Sequence, residues 1–123
     1  MESNPVCWFE IYVEDMVRAK KFYESMLKIT LEELNSIGVE MWAFPMNTEK
    51  TGCTGALAKM DGVSPGGGGT LLYFSCDDCA VTEQRAIKAG GTVHKGKFSI
   101  GQFGYISLIC DTEGNMIGLH SLA

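Results

Sequence analysis

The sequence predicts an α+β domain made of two βαβββ repeats, which form a U-shaped or partly closed eight-stranded mixed sheet around a central cleft. Three observations carry this reading. Strand-like and helix-like segments occur in the same order twice. The helix-opening aspartates Asp15 and Asp78 lie 63 residues apart, and the Thr48-Glu49 and Thr112-Glu113 pairs lie 64 apart, as an internal duplication requires. A Ser-Pro-Gly-Gly-Gly-Gly run over 64–69 separates the two series and is too rich in glycine to hold regular structure. The 123 residues are enough for one core and too few for two, so residues 1–123 read as one domain. Repeat one covers about 6–60, the linker 61–69 and repeat two about 70–122.

The first strand runs from Val6 to Val13. It mixes β-branched and aromatic residues, with Phe9, Ile11 and Val13 on one face and Trp8, Glu10 and Tyr12 on the other. Asp15 stands at an N-cap position, and Met16, Ala19, Phe22, Tyr23, Met26 and Leu27 then recur at spacings of three and four, the stripe of an amphipathic helix. Strands follow at Ile29–Leu34, Val39–Phe44 and Cys53–Met60, separated by a turn over 35–38 and a polar loop over 47–52. Repeat two restarts with a strand at Thr70–Cys76. Asp77-Asp78 caps a helix that Gly90-Gly91 closes, and strands at Thr92–Lys97, Tyr105–Cys110 and Met116–Leu122 complete the order. Asp111–Asn115 is the turn of the last hairpin.

The net charge of −5 opposes contact with phosphate backbones and anionic lipid, so neither nucleic acid nor membrane is an expected partner. No apolar run is long enough to span a bilayer, and the first residues lack the basic and apolar regions of a signal peptide, so a cytoplasmic location is expected. Four of the five cysteines fall in strand-like stretches, where reduced, buried thiols are the default. Cys76 and Cys79 form a C-x-x-C, but no second such pair or paired histidines complete a zinc site. The 64–69 glycines lack the Lys-Ser/Thr and the helix that a phosphate loop requires, which excludes a nucleotide-binding reading.

Several strings together resemble the vicinal oxygen chelate superfamily of glyoxalase I, bleomycin-resistance proteins and extradiol dioxygenases. They are Trp8-Phe9-Glu10-Ile11-Tyr12-Val13, Asp15-Met16, Arg18-Ala19-Lys20-Lys21-Phe22-Tyr23, Ala89-Gly90-Gly91 and the stretch from Asp111 to His120. They are most similar to a glyoxalase-related bacterial group of mostly unassigned activity. The resemblance implies four metal-ligand positions on the first and last strands of each repeat, which fall on Trp8, Leu71, Gly118 and near Gly55. None of these side chains is a metal donor, so the usual metal site is not expected and no cofactor is predicted.

Strand alternation sets Trp8, Glu10, Tyr12 and Tyr73 on the cleft face. His120 shares the face of Gly118, and Trp42, Phe44 and Tyr105 are further candidates for the wall. Phe98–Gly104, including Phe103, combines glycines and aromatics as a loop over the cleft mouth would. The predicted function is binding of a small, partly apolar or aromatic molecule in a metal-free cleft; the halves cover their apolar sheet faces by pairing within one chain or across two, and a homodimer is expected. The alternative is a lyase or isomerase that uses relocated metal ligands, or Glu10 and His120 as a catalytic acid–base pair. A third reading is a closed, purely structural core. His94 reads as a surface residue.

Overall fold

Asp15 and Asp78 open the two helices. Both are extended, and their side chains accept hydrogen bonds from the backbone N–H groups of Arg18 and Ala80 respectively. The computed structural model describes residues 4–35 and 38–123, so Met1–Ser3 and the Ser36-Ile37 part of the predicted turn lie outside the described residues. The elements are β1 (Trp8–Tyr12), α1 (Met16–Leu27), β2 (Glu32–Leu34), β3 (Glu40–Ala43) and β4 (Thr54–Lys59), then β5 (Leu72–Ser75), α2 (Cys79–Lys88), β6 (Thr92–Ser99), β7 (Tyr105–Cys110) and β8 (Met116–Ser121). A short 3-10 turn, Gly101–Phe103, precedes β7.

The eight strands divide into two four-stranded sheets, ordered β1-β4-β3-β2 and β5-β8-β7-β6. In each sheet the first strand pairs parallel with the last and the other pairs are antiparallel. Among the described residues no strand ladder joins β1 to β5, so the two sheets do not close into a barrel.

The predicted helical stripe is buried: Met16, Ala19, Phe22, Tyr23 and Met26 face the core. Burying each of the larger ones contributes about 2 to 3 kcal/mol. The core is shared between halves. Phe9 and Phe44 of the first and Phe74 of the second stack around Tyr23, with centroids 5.5–6.0 Å apart. The halves therefore pair within one chain.

The Asp111–Asn115 turn fastens this pairing. Glu113 accepts from the backbone N–H groups of Glu14 (3.0 Å) and Asp15 (2.9 Å), from Thr112 Oγ1 (2.9 Å), and from Arg18 through Nε (2.6 Å) and Nη2 (3.0 Å). The carboxylate meets the orphan donors and positive end of α1. Asp111 accepts from the Tyr23 hydroxyl at 2.6 Å, and Asn115 Nδ2 donates to the Tyr12 carbonyl at 3.0 Å.

The cysteines depart from the expectation of burial. Cys79 is buried and Cys76 and Cys110 are half-buried, but Cys7 and Cys53 are exposed, because β1 and β4 begin one residue after each of them.

Candidate functional site

Registers decide which side chains share a face, because paired residues point the same way. In the first sheet Trp8, Glu10 and Tyr12 align with Thr54, Ala56 and Ala58, and the last two align with Ala43 and Met41. In the second, Tyr73 and Ser75 align with Gly118 and His120, and these align with Leu108 and Ile106. These residues form the side turned away from the helices, since Phe9, Ile11, Phe74 and Leu119 alternate with them and pack on the core.

Trp42, Phe44 and Tyr105 stand on the other side, in correction of the expectation that they wall the cleft, and Phe44 is buried in the core. Trp42 is opposite Leu57, with the Lys20 ammonium 3.2 Å from its ring centre. Tyr105 is opposite the buried Ser121, with the Lys97 ammonium 4.6 Å from its ring centre. In a period-two element, an assignment displaced by one residue moves a side chain to the opposite face.

The first-half wall is closed over by its own side chains: Ala56 and Ala58 have no exposed surface. Glu10 lies at the surface, between two donors on its own strand. Trp8 Nε1 donates to it at 3.1 Å and the Tyr12 hydroxyl at 2.8 Å. That hydrogen bond from Tyr12 to the Glu10 carboxylate raises the phenol pKa above its ordinary value. His120 is engaged elsewhere, its Nε2 lying 2.7 Å from the Phe103 carbonyl oxygen. No hydrogen bond or ion pair joins Glu10 to His120 among the described residues.

The second-half face is open. Tyr73, Ser75, Ile100, Ile106 and His120 line a cavity of about 450 Å³. Tyr73 remains 44% exposed at its edge, and Phe103 projects from the neighbouring 3-10 turn at 64% exposure. Gly104 follows with φ 103°, and a Cβ there would collide with the Ser121 carbonyl, so the turn sits tightly on β8. A carbonyl only accepts, so Nε2 of His120 carries a hydrogen and donates it to Phe103. Ile100 and Ile106 were not singled out from sequence, although Ile106 follows by alternation from His120.

The positions that the resemblance assigns to metal ligands do not fit a metal. The Trp8 indole donates to Glu10. Gly55 lies on the core side beneath the Phe9 ring, and the residue aligned with Glu10 on β4 is Ala56. Gly118 is covered by the Tyr73 ring. No group of three His, Cys, Asp or Glu side chains suited to a metal occurs among the described residues. The C-x-x-C thiols lie 4.0 Å apart, and burial, reinforced by the neighbouring Cys79 against a hydrogen bond from Thr82, pushes Cys76 up to about 11.

Comparison with known proteins agrees with this architecture. The profile of the glyoxalase/bleomycin resistance protein/dioxygenase superfamily matches residues 6–119. CFP32 of Mycobacterium bovis, a protein provisionally named a glyoxylase, is 28% identical over 114 residues. That match covers 91% of this chain and 43% of CFP32, so the chain spans less than half the length of the curated relatives it matches. Glyoxalase I from Zea mays superposes with a TM-score of 0.73 at 18% identity, over 96% of this chain and 46% of that one. TnmS3, an antibiotic binding protein from Streptomyces sp. CB03234, superposes with a TM-score of 0.72 at 23% identity over 100% and 99% of the two chains.

Proposed function

We propose, from the premise that this chain belongs to the glyoxalase/bleomycin resistance protein/dioxygenase superfamily, that it binds a small, partly aromatic or apolar molecule on the concave face of its second half. The observation that carries the reading is the open cavity of about 450 Å³, in which Tyr73, Ile100 and Ile106 supply apolar surface and Ser75 and His120 supply polar groups. Its size and its mixture of many apolar and few polar contacts suit a small organic ligand. The likeness to an antibiotic binding protein over the full length of both chains supports the same reading.

In this account the Tyr73 ring offers a stacking platform, and Phe103 and Ile100 cover the ligand from the 3-10 turn. Ser75 and His120 orient a polar group. Trp8, Glu10 and Tyr12 form the adjoining wall. Sequestration needs nothing more than this, whereas acid–base turnover would require Glu10 and His120 to act together. Glu10 is held by Trp8 and Tyr12, which favours binding over the lyase or isomerase alternative.

Half-exposed Leu108 and Met116 continue the open face beside the pocket, and a second copy covering them would make the protein a homodimer. A cytoplasmic setting suits the −5 charge and free thiols. No helix of the described residues is long and apolar enough to cross a membrane.

The test is fluorescence titration of the protein with a panel of small aromatic compounds. Any binder found should lose at least about tenfold in affinity in Tyr73→Ala, the loss of roughly 1.4 kcal/mol of contact. A binder whose affinity is unchanged in both Tyr73→Ala and His120→Ala refutes the assignment of the pocket.

A further inference from the structure

A second cavity, of about 490 Å³, lies at the other end of the first sheet and shares no lining residue with the concave pocket. Its wall contains Cys7, Cys53 and Met46. The ends of the strands explain why these three residues share one wall. The β1–β4 ladder begins at the Trp8–Thr54 pair, and Cys7 and Cys53 are the residues immediately before it on the two strands. The β3–β4 ladder pairs Ala43 with Ala56, and it continues through the Phe44 N–H bond to the Gly55 carbonyl and the Thr54 hydroxyl bond to the Pro45 carbonyl. Met46 follows Pro45 and Cys53 precedes Thr54, so the two residues flank this contact.

Cys7, Cys53 and Met46 therefore lie just beyond the ends of three neighbouring strands and line one cavity. Both thiols are free and exposed, and Met46 is 61% exposed, so all three can turn toward a common centre. The flexible thioether of methionine suits such adjustment. Among the described residues the cavity wall contains no carboxylate and no imidazole, and its one charged side chain is Lys50. Hard cations therefore find no anionic oxygen ligand there, whereas two thiolates and a thioether select a soft monovalent ion.

We propose that Cys7, Cys53 and Met46 form a three-sulfur site for a soft monovalent metal ion, Cu(I). Two S–H bonds give way to two Cu–S bonds and two protons pass to the buffer. Met46 lends a sulfur lone pair, no electron changes hands, and the bound centre carries a net charge of −1. The site is independent of the concave pocket, so it stands whatever that pocket binds.

The experiment is anaerobic titration of the fully reduced protein with Cu(I) against the chelator bicinchoninate. The wild-type chain should withhold one Cu(I) per chain. The Cys7→Ser/Cys53→Ser double variant should withhold none, and Met46→Leu should bind about tenfold more weakly. Cys76→Ser/Cys79→Ser should keep the full equivalent. Because Cys7, Cys53 and Met46 are exposed, the variants should melt at the wild-type temperature, which separates loss of the site from loss of fold. The proposal is overturned if the wild type yields all its copper to the chelator, if the Cys7/Cys53 double variant still withholds an equivalent, or if Met46→Leu binds as tightly as the wild type.

Discussion

The last turn of the second half and its counterpart in the first share a Thr-Glu pair but behave differently. Glu113 crosses to the start of α1, takes up four donors there and accepts a fifth bond from the adjacent Thr112 hydroxyl. Glu49 sits at the surface, and its backbone N–H reaches only as far as the Asn47 side chain. The partner explains the difference: the residue 63 positions after Arg18 is Val81, which offers no charge to a carboxylate. The sheet faces differ in the same way. Trp8, Glu10 and Tyr12 close over the alanines of the first half, while Tyr73 and Gly118 leave the second half open. The duplicated pattern supplies the architecture, and a few side chains decide which half fastens the fold and which presents a site.

Two glycines give the largest expected effects. A Cβ at Gly55 would collide with the Phe9 backbone carbonyl, whereas one at Gly118 would meet only the ring of the partly exposed Tyr73. Gly55→Ala should cost about 3 kcal/mol or more in urea unfolding, because a β-strand backbone must move. Gly118→Ala should cost clearly less and reshape the ligand pocket instead. Equal costs would break the distinction between a packing glycine and a pocket glycine.

Next comes the fastening carboxylate. Burial would raise the pKa of Glu113, but Arg18, the Asp15 and Glu14 N–H groups and Thr112 outweigh it and hold the carboxyl at about 2, against an ordinary 4.5. A depressed folded-state pKa contributes stability that is present above 4.5 and lost as the pH falls toward 2. The shift corresponds to about 3 kcal/mol. Glu113→Gln should lose a comparable amount at neutral pH and flatten the stability profile between these pH values. Glu49→Gln should stay within about 0.5 kcal/mol, the range of ordinary surface changes. A large loss at Glu49 would show that both turns fasten the fold.

Smaller again are the helix caps. Asp15→Ala and Asp78→Ala should each cost about 1 kcal/mol of thermal stability, since each removes one side-chain bond to a helix N–H. Asp78 also pairs with Lys97 at 2.8 Å, which lowers its pKa, so its variant should also weaken the anchorage of β6.

The caps, the β1 alternation and the glycine linker were legible because each is a local signal: a short polar side chain before an apolar stripe, a period of two, a run without side chains. The repeat followed from the spacing of Asp15 and Asp78. The faces of Trp42 and Tyr105 and the partner of Gly118 were not, since a cross-strand register is a long-range property that shifts by whole residues without changing composition. Gly55 and Ala56 differ by one step along β4 and lie on opposite faces. The role of Glu113 was visible only as half of a repeated Thr-Glu pair, because its donors lie about 100 residues earlier in the chain. The exposure of Cys7 and Cys53 was hidden for a similar reason: strand-like sequence continues past the point where the ladder ends.

The most direct test of the asymmetry between the two faces is amide chemical-shift mapping of the labelled protein with a panel of small aromatic compounds. The account predicts saturable shifts clustered at Tyr73, Ser75, Ile100, Ile106 and His120, with the amides of Ala56 and Ala58 little changed. Shifts centred on Ala56 and Ala58, or no saturable shifts with any compound, would contradict it.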